Sequence, residues 1–291
     1  MGLFNFNPNP SKDALDFFSQ KKIKPSFDYR DVWREEHIKA FSVAKGMQLD
    51  VLGDIQGAVN NAIANKIPFD QFQKDLMPLL QQKGWWGKSS MIDPLTGKTK
   101  TVQLGSPARL RLIYDSNIRT AEAAGQWERI QRQKKDLPYL LYQIGDSKIH
   151  RPPHVSWSGI LLPIDDDFWR THFAPNGYGC KCYVLQVSKN EYDQLSEKPE
   201  YTTTAPPIEY EDWLNKRTGK TEKVPKGVDP GWDFNAGDVK RHTEKLDVIV
   251  KDKLSALSKS WENFISQGEK FEKEFMGNYG DFSYQKSKLT K

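Results

Sequence analysis

The chain holds two cysteines in 291 residues, Cys180 and Cys182, both inside the stretch "FWRTHFAPNGYGCKCYV". A one-residue gap suits a disulfide poorly, because the α-carbons of a bridged pair want about 4.4–6.8 Å and an extended gap of this size lies near the upper limit. Side chains two apart on a strand share a face, and two thiols on one face suit a metal. With two nitrogens drawn from His154, His172 or His150 they would complete a tetrahedral zinc site. The predicted metal ligands are His154, His172, Cys180 and Cys182, with zinc as the cofactor. Small, buried, inert thiols are the competing reading of the same two residues.

Other chemistry is signalled less strongly. Either thiol near His172 would make a nucleophilic pair, but no orienting third residue stands out, and "NGYGC" reads equally as a tight turn. The segment "HRPPH" places His150 and His154 four apart, the spacing of a helical zinc pair. Pro152 and Pro153 predict an extended segment instead, and no glutamate follows His150 to act as a base, so a zincin is excluded. Asp165, Asp166 and Asp167 could hold a hard cation, yet an aspartate ahead of Phe168 and Trp169 reads first as a cap. "GKTEK" at Gly219 lacks the preceding loop of a phosphate-binding motif.

Basic residues gather between Arg109 and Lys135. Arg109, Arg111, Arg119, Arg129, Arg132, Lys134 and Lys135 are the candidate nucleic-acid contacts, and a solvated helix face is the alternative. The overall excess of 43 basic over 38 acidic side chains, a net charge of +5, permits contact with DNA without requiring it.

The elements that must position these residues read as an α+β fold. Helix is predicted through residues 29–84, capped by Asp31, with Trp33, His37, Ala40, Phe41 and Ala44 on one apolar stripe; His37 there is a core residue. Pro68 starts a second helix, which Gly84 ends. A hairpin turns at Asp93 to Gly97. Ser106 and Pro107 open a long helix to about Lys135, with Leu110, Ile113, Tyr114, Ile118 and Ala121 on one face. "YLLYQIG" and the region of Ile160 to Leu162 are strands. From Glu191 a Pro/Gly-rich extended arm has too few apolar positions for a core of its own. Helical periodicity returns after Lys240 through Leu246, Ile249, Leu254 and Leu257. The predicted divisions are a tail (1–28), a helical region (29–84), a central mixed helix/short-strand module (85–190), the arm (191–239) and a C-terminal helical tail (240–291).

Composition sets the class. With 37% hydrophobic and 28% charged residues the chain is globular. The N-terminus lacks the pattern of a signal or transit peptide, "MGLFNF" lacks the sixth-position hydroxyl of a myristoylation signal, and nowhere do 18 apolar residues run together. Two cysteines and no export signal predict a reducing compartment and no membrane contact.

Five ordered blocks carry a family likeness: "DYRDVWREEHIKAFSVAKGM", "LLQQKGWW", "VQLGSPARLRLIYDSNIRTAEAAGQWERI", the run from "PYLLYQIGDSKIHRPPH" to "NGYGCKC", and "KGVDPGWDFNAG". Across about Tyr29 to Gly237 the chain resembles the phage Mu F-like minor head proteins of the head morphogenesis family. Arg151, His154, Gly159, Pro163, Asp165, Asp166, Phe168, Trp169, Pro175, Asn176, Gly177 and the Cys180–Lys181–Cys182 ending form the hallmark string.

The resemblance implies a minor structural head protein of a tailed phage or prophage, acting in head morphogenesis at or near the portal, and not an enzyme. Its implied partners are the portal protein, the scaffold or major capsid protein, and phage DNA, met in the host cytoplasm during assembly and then in the virion head. It also implies that the two cysteines close the shared core by leaning on the segment of Arg151 and His154. Many relatives carry a histidine just before the Cys-basic-Cys, where this chain has Tyr178 and Gly179, which weakens a four-ligand site built from this stretch alone. Some carry C-terminal toxin domains, for which the roughly fifty residues after Gly237 are too few. The alternative function is a metal-dependent nuclease or toxin-like hydrolase using His154, Asp165 and Asp166.

Overall fold

The computed structural model describes residues 12–238, with three isolated helical positions beyond, at 255, 259 and 266. The predicted C-terminal helix and the first eleven residues of the predicted N-terminal tail lie outside the described residues, while the rest of that tail forms α1 and β1. In chain order the elements are α1 (Lys12–Ser19), β1 (Lys22–Ile23), α2 (Glu36–Lys39), β2 (Ala40–Phe41), α3 (Leu49–Asn65), α4 (Phe69–Gln82), β3 (Lys88–Ile92) and β4 (Thr99–Gln103). They continue with α5 (Pro107–Gln133), β5 (Tyr139–Gln143), α6 (Pro152–Trp157), β6 (Leu161–Pro163), α7 (Trp169–His172), β7 (Tyr183–Val187), α8 (Lys189–Ser196), β8 (Tyr210–Asn215) and β9 (Lys220–Pro225). This is an α+β architecture. No helix among the described residues is long and apolar enough to cross a membrane.

Helix α5 organises the molecule. Ser106 caps it by accepting from the Arg109 amide at 3.2 Å, and Pro107 fills the first turn, where a missing N–H costs nothing. At 1.5 Å per residue its 27 residues extend about 40 Å, enough to serve two cores. Its first half joins α1, α3 and α4 through Leu110 and Ile113, which meet Val51, Leu52, Ile55 and Val59 of α3 and Phe72, Leu76 and Leu80 of α4. The four-residue spacing of these positions keeps each helix's apolar side chains on one stripe. Its second half contributes Trp127 and Ile130 to a core with Leu140, Tyr142, Trp157, Ile160, Phe168, Trp169 and Val184. Gly125 is required between them, because a β-carbon there would stand 2.6 Å from the Ala14 backbone nitrogen where α1 crosses.

The second core is backed by an antiparallel sheet in the order β6-β5-β7, with Leu140 opposite Leu162 and Gln186. Leu140, Leu141 and Tyr142 are all buried because both faces of β5 are covered. Glutamines tie α5 to β7: Gln126 donates to the Val184 carbonyl at 2.6 Å, and Gln186 to the Ile130 carbonyl at 3.2 Å. Across the sheet, Tyr192 of α8 stacks on Tyr139 at 3.9 Å between centroids.

Two predicted segments fold differently. The expected continuous helix from Asp31 is broken into a 3-10 turn (Tyr29–Asp31), α2 and the two-residue strand β2, which pairs in parallel with β1. Asp31 does not cap a long helix; its carboxylate closes the turn by accepting from the amides of Phe27 and Asp28 at 2.9 and 2.8 Å. Arg34 and Lys45 adopt left-handed backbone angles (φ 46° and 65°), which ends any helix on either side. The expected extended arm is also structured. It contains α8 and the β8–β9 hairpin, and it packs on the rest of the chain rather than on a core of its own. Arg217 of the hairpin turn reaches Asp31 and the buried Asp93, the latter through two bonds of 2.7 and 2.8 Å.

Candidate metal centre

Three segments converge beside the second core. The first is α6, whose Pro152 and Pro153 occupy the opening helical positions, so His154 sits in the first turn. The extended backbone predicted for "HRPPH" is therefore corrected: prolines that would break a helix interior start one well. His150 precedes the helix and is exposed, so the two histidines form no helical pair. The second segment runs from Asn176 to Cys182 and leads into β7, so both cysteines lie just ahead of the closing strand. The third spans Gly227 to Asp229, after β9.

Hydrogen bonds lock these segments together. Arg151 grips Asp229 with two bonds of 2.9 and 3.1 Å and donates to the Tyr178 carbonyl at 2.9 Å. The Tyr178 amide donates to Asp229 at 2.8 Å, and the Asp229 amide to the Asn176 carbonyl at 2.9 Å. A side chain at Gly177 would collide with both Asp229 and Arg151, and one at Gly145 with the Lys181 backbone. Glycine is thus needed where this ion pair and the cysteine segment approach the chain.

Inside this clasp, His154 is 3% exposed and Cys180 5%. His154 Nε2 lies 2.9 Å from the Gly227 carbonyl oxygen. A carbonyl only accepts, so Nε2 carries the proton and the bare lone pair is on Nδ1. That lone pair faces both sulfurs, at 3.4 Å from Cys182 Sγ and 3.7 Å from Cys180 Sγ. The three ligand atoms lie within 4.8 Å of one another. The imidazole also stacks on Trp157, 4.9 Å between centroids, which fixes its plane.

The two thiols are pushed in opposite directions. A hydrogen bond from Cys180 lowers the pKa of Cys182, and Tyr142 and the backbone of Gly145 add to that effect. The same bond to Cys182, together with burial, raises Cys180. The mutual bond thus shifts the two thiols in opposite directions, Cys182 down and Cys180 up.

His172 stands apart from this group. It is buried, stacks on Phe168 at 4.4 Å, meets the edge of Trp157 at 4.6 Å and places Nδ1 2.8 Å from the Thr171 hydroxyl. Burial lowers its pKa to about 4. The structure thus gathers His154, Cys180 and Cys182 and sends His172 into the aromatic core. Tyr142, Asn176, Gly227 and Asp229, which complete the surroundings, were not singled out as site residues from their types; Asn176 and the "KGVD" stretch were visible only inside the blocks that carry the family likeness.

The acidic run is spent on structure. Asp165 pairs with Lys134, Asp166 accepts from the Phe168 amide at 2.9 Å in an Asx turn ahead of α7, and Asp167 pairs with Arg170. The basic residues of α5 do not form one stripe. At about 100° per residue the five arginines from Arg109 to Arg132 are spread around the helix axis, and Lys134 and Lys135 lie beyond its last residue, Gln133. Arg109 lies over Trp85 and donates to the backbone carbonyls of Ala44, Gln103 and Leu104. Arg111 covers the Phe69 ring at 3.5 Å, and Arg129 and Arg132 converge on Asp13 of α1. Arg119 is half-buried and Lys135 is exposed.

Comparison with known proteins follows the same segments. Over 239 residues the chain is 31% identical to the F protein of Escherichia phage Mu, a protein named for capsid assembly; the match covers 78% of this chain and 54% of that protein. It is 32% identical over 239 residues to the Mu-like prophage FluMu F protein of Haemophilus influenzae, covering 76% of this chain and 55% of that one. The chain thus spans about half the length of the curated relatives it matches. No solved structure matches it. Residues 53–185 match the family described as phage Mu protein F like protein. That stretch runs from α3 into β7 and carries His154, Cys180 and Cys182, and it makes the chain a phage Mu F-like protein.

Proposed function

We propose that this chain is a structural component in the assembly of a tailed-phage head, contributing contacts rather than catalysis, and that it acts at the portal. The observation that carries the reading is the relationship to a capsid assembly protein across 78% of the chain. The geometry agrees in kind. Hallmark residues Arg151, Asn176 and Gly177 close the chain upon itself through Asp229 instead of lining an open cleft. A hydrolase built on His154, Asp165 and Asp166 gains no support, since Asp165 pairs with Lys134 and Asp166 accepts from the Phe168 amide while His154 faces sulfur. Contact with DNA through α5 forms no part of the reading, because Arg109, Arg129 and Arg132 are held by protein groups.

Co-expression with the tagged portal protein, and separately with the major capsid protein, of the same phage tests it. Retention on the portal, together with the protein's presence in purified particles, is the expected result. Retention on the capsid protein alone would move the site of action from the portal to the shell. Particles devoid of the protein, with no retention on either partner, would overturn the assembly reading.

A further inference from the structure

We propose that His154, Cys180 and Cys182 bind a zinc ion that pins α6 to the turn ahead of β7. The spacing of the donors is that of a metal site. With Zn–S near 2.3 Å and Zn–N near 2.0–2.1 Å, a tetrahedral centre sets each nitrogen–sulfur distance at about 3.5–3.6 Å. The observed values, 3.4 and 3.7 Å, bracket that figure.

Orientation is a second and independent sign. A ligating imidazole almost always gives its other N–H to a carbonyl or carboxylate, which fixes the tautomer and aims the free nitrogen at the metal. The Gly227 carbonyl does this for His154 at 2.9 Å. Gly227 is itself pressed between Pro153 and Trp157 at φ 89°, a backbone angle that favours glycine, so the carbonyl is rigidly placed. Two soft sulfurs and one imidazole select zinc over magnesium or calcium, which take oxygen ligands. Three protein ligands leave a fourth position for water. Metal binding would displace the thiol protons, and both sulfurs would then bind as thiolates.

A pair of thiols hydrogen-bonded to a histidine is the competing account, and metal analysis separates the two. The full chain, made without a polyhistidine tag and kept reduced, should carry about one equivalent of zinc. Cobalt(II) added to the stripped protein should give the visible bands of a tetrahedral ion and a thiolate-to-metal charge-transfer band. Both signals should disappear in Cys182→Ser and in His154→Gln and persist in His172→Gln. Should the first two variants fail to fold, the wild-type cobalt spectrum decides alone: charge-transfer intensity of two thiolates supports the site. Zinc below about a tenth of an equivalent with no cobalt bands overturns it. So does a cobalt spectrum unchanged in Cys182→Ser, or lost in His172→Gln.

Discussion

Trp33 and Trp213 lie face to face, their ring centroids 5.0 Å apart and their planes within 6° of parallel. The stack joins the segment before α2 to strand β8, and Trp33 Nε1 adds a 2.8 Å bond to Glu222 of β9. Beside it Arg217 holds Asp31 and Asp93. The hairpin is thus fastened by one aromatic pair and two arginines, since Arg34 also pairs with Glu222 at 3.1 Å and donates to the Lys223 carbonyl at 3.0 Å. Replacing Trp213 with alanine should cost about 2 kcal/mol, from lost apolar area and the loss of the stacked pair. Limited proteolysis should show cleavage within residues 204–226 accelerating more than cleavage elsewhere. Arg217→Ala, which leaves the buried Asp93 carboxylate with Lys100 alone among its cations, should lower Tm by roughly 5–10 °C. Uniform acceleration at all sites in Trp213→Ala would show that the hairpin is not a separately fastened unit.

Two helical glycines should respond oppositely to alanine. Gly57 in α3 is exposed and has nothing within 4 Å of the position a β-carbon would take. Gly57→Ala should therefore stabilise by about 0.5–1 kcal/mol through helix propensity. Gly125 faces the Ala14 backbone at 2.6 Å, and backbone cannot swing aside as a side chain can. Gly125→Ala should destabilise by about 1–3 kcal/mol despite the same gain in propensity. Urea denaturation of the two variants beside wild type reads both signs; stabilisation by Gly125→Ala would mean that α1 does not pack there.

Acid should weaken the fold through His172. Burial lowers its pKa to about 4, so the folded state keeps it neutral while the unfolded chain protonates near the ordinary value of 6.5. The unfolded state then binds the extra proton between about pH 6.5 and 4, and stability falls as pH falls through that window. For this residue the loss between pH 7 and pH 5 is about 2 kcal/mol. His37, also pushed down to about 4 chiefly by burial, acts in the same direction. Urea midpoints at the two pH values should differ less in His172→Gln than in wild type, and an identical difference would place the acid sensitivity elsewhere.

Local chemistry was legible in the sequence where a single element decides it. Ser106 and Pro107 mark the start of α5, the turn at Asp93 to Gly97 joins β3 to β4, and the apolar "YLLY" becomes the central strand. What was not legible depends on distant partners. Trp33, His37 and Phe41 are spaced as on a helix, but Trp33 is claimed by Trp213, and the backbone turns away at Arg34. At the candidate site the two cysteines announced themselves by spacing. The choice of His154 over His172 was set by Gly227, seventy-three residues away in sequence, and no local pattern reports that carbonyl. The pairing of the α5 cations was hidden in the same way, because Asp13, which meets Arg129 and Arg132, belongs to another helix.

The clasp around His154 also has an order in time. Its histidine and cysteines leave the ribosome well before Gly227 and Asp229, and the hairpin must reach back 189 residues to meet Trp33. Contacts of such long range form late, after shorter loops have closed. A nascent chain halted short of Gly227 would lack the carbonyl that orients His154 and the carboxylate that grips Arg151. Completion of this corner therefore reports that translation has passed the hairpin, and truncated products would present a different surface to any assembling partner.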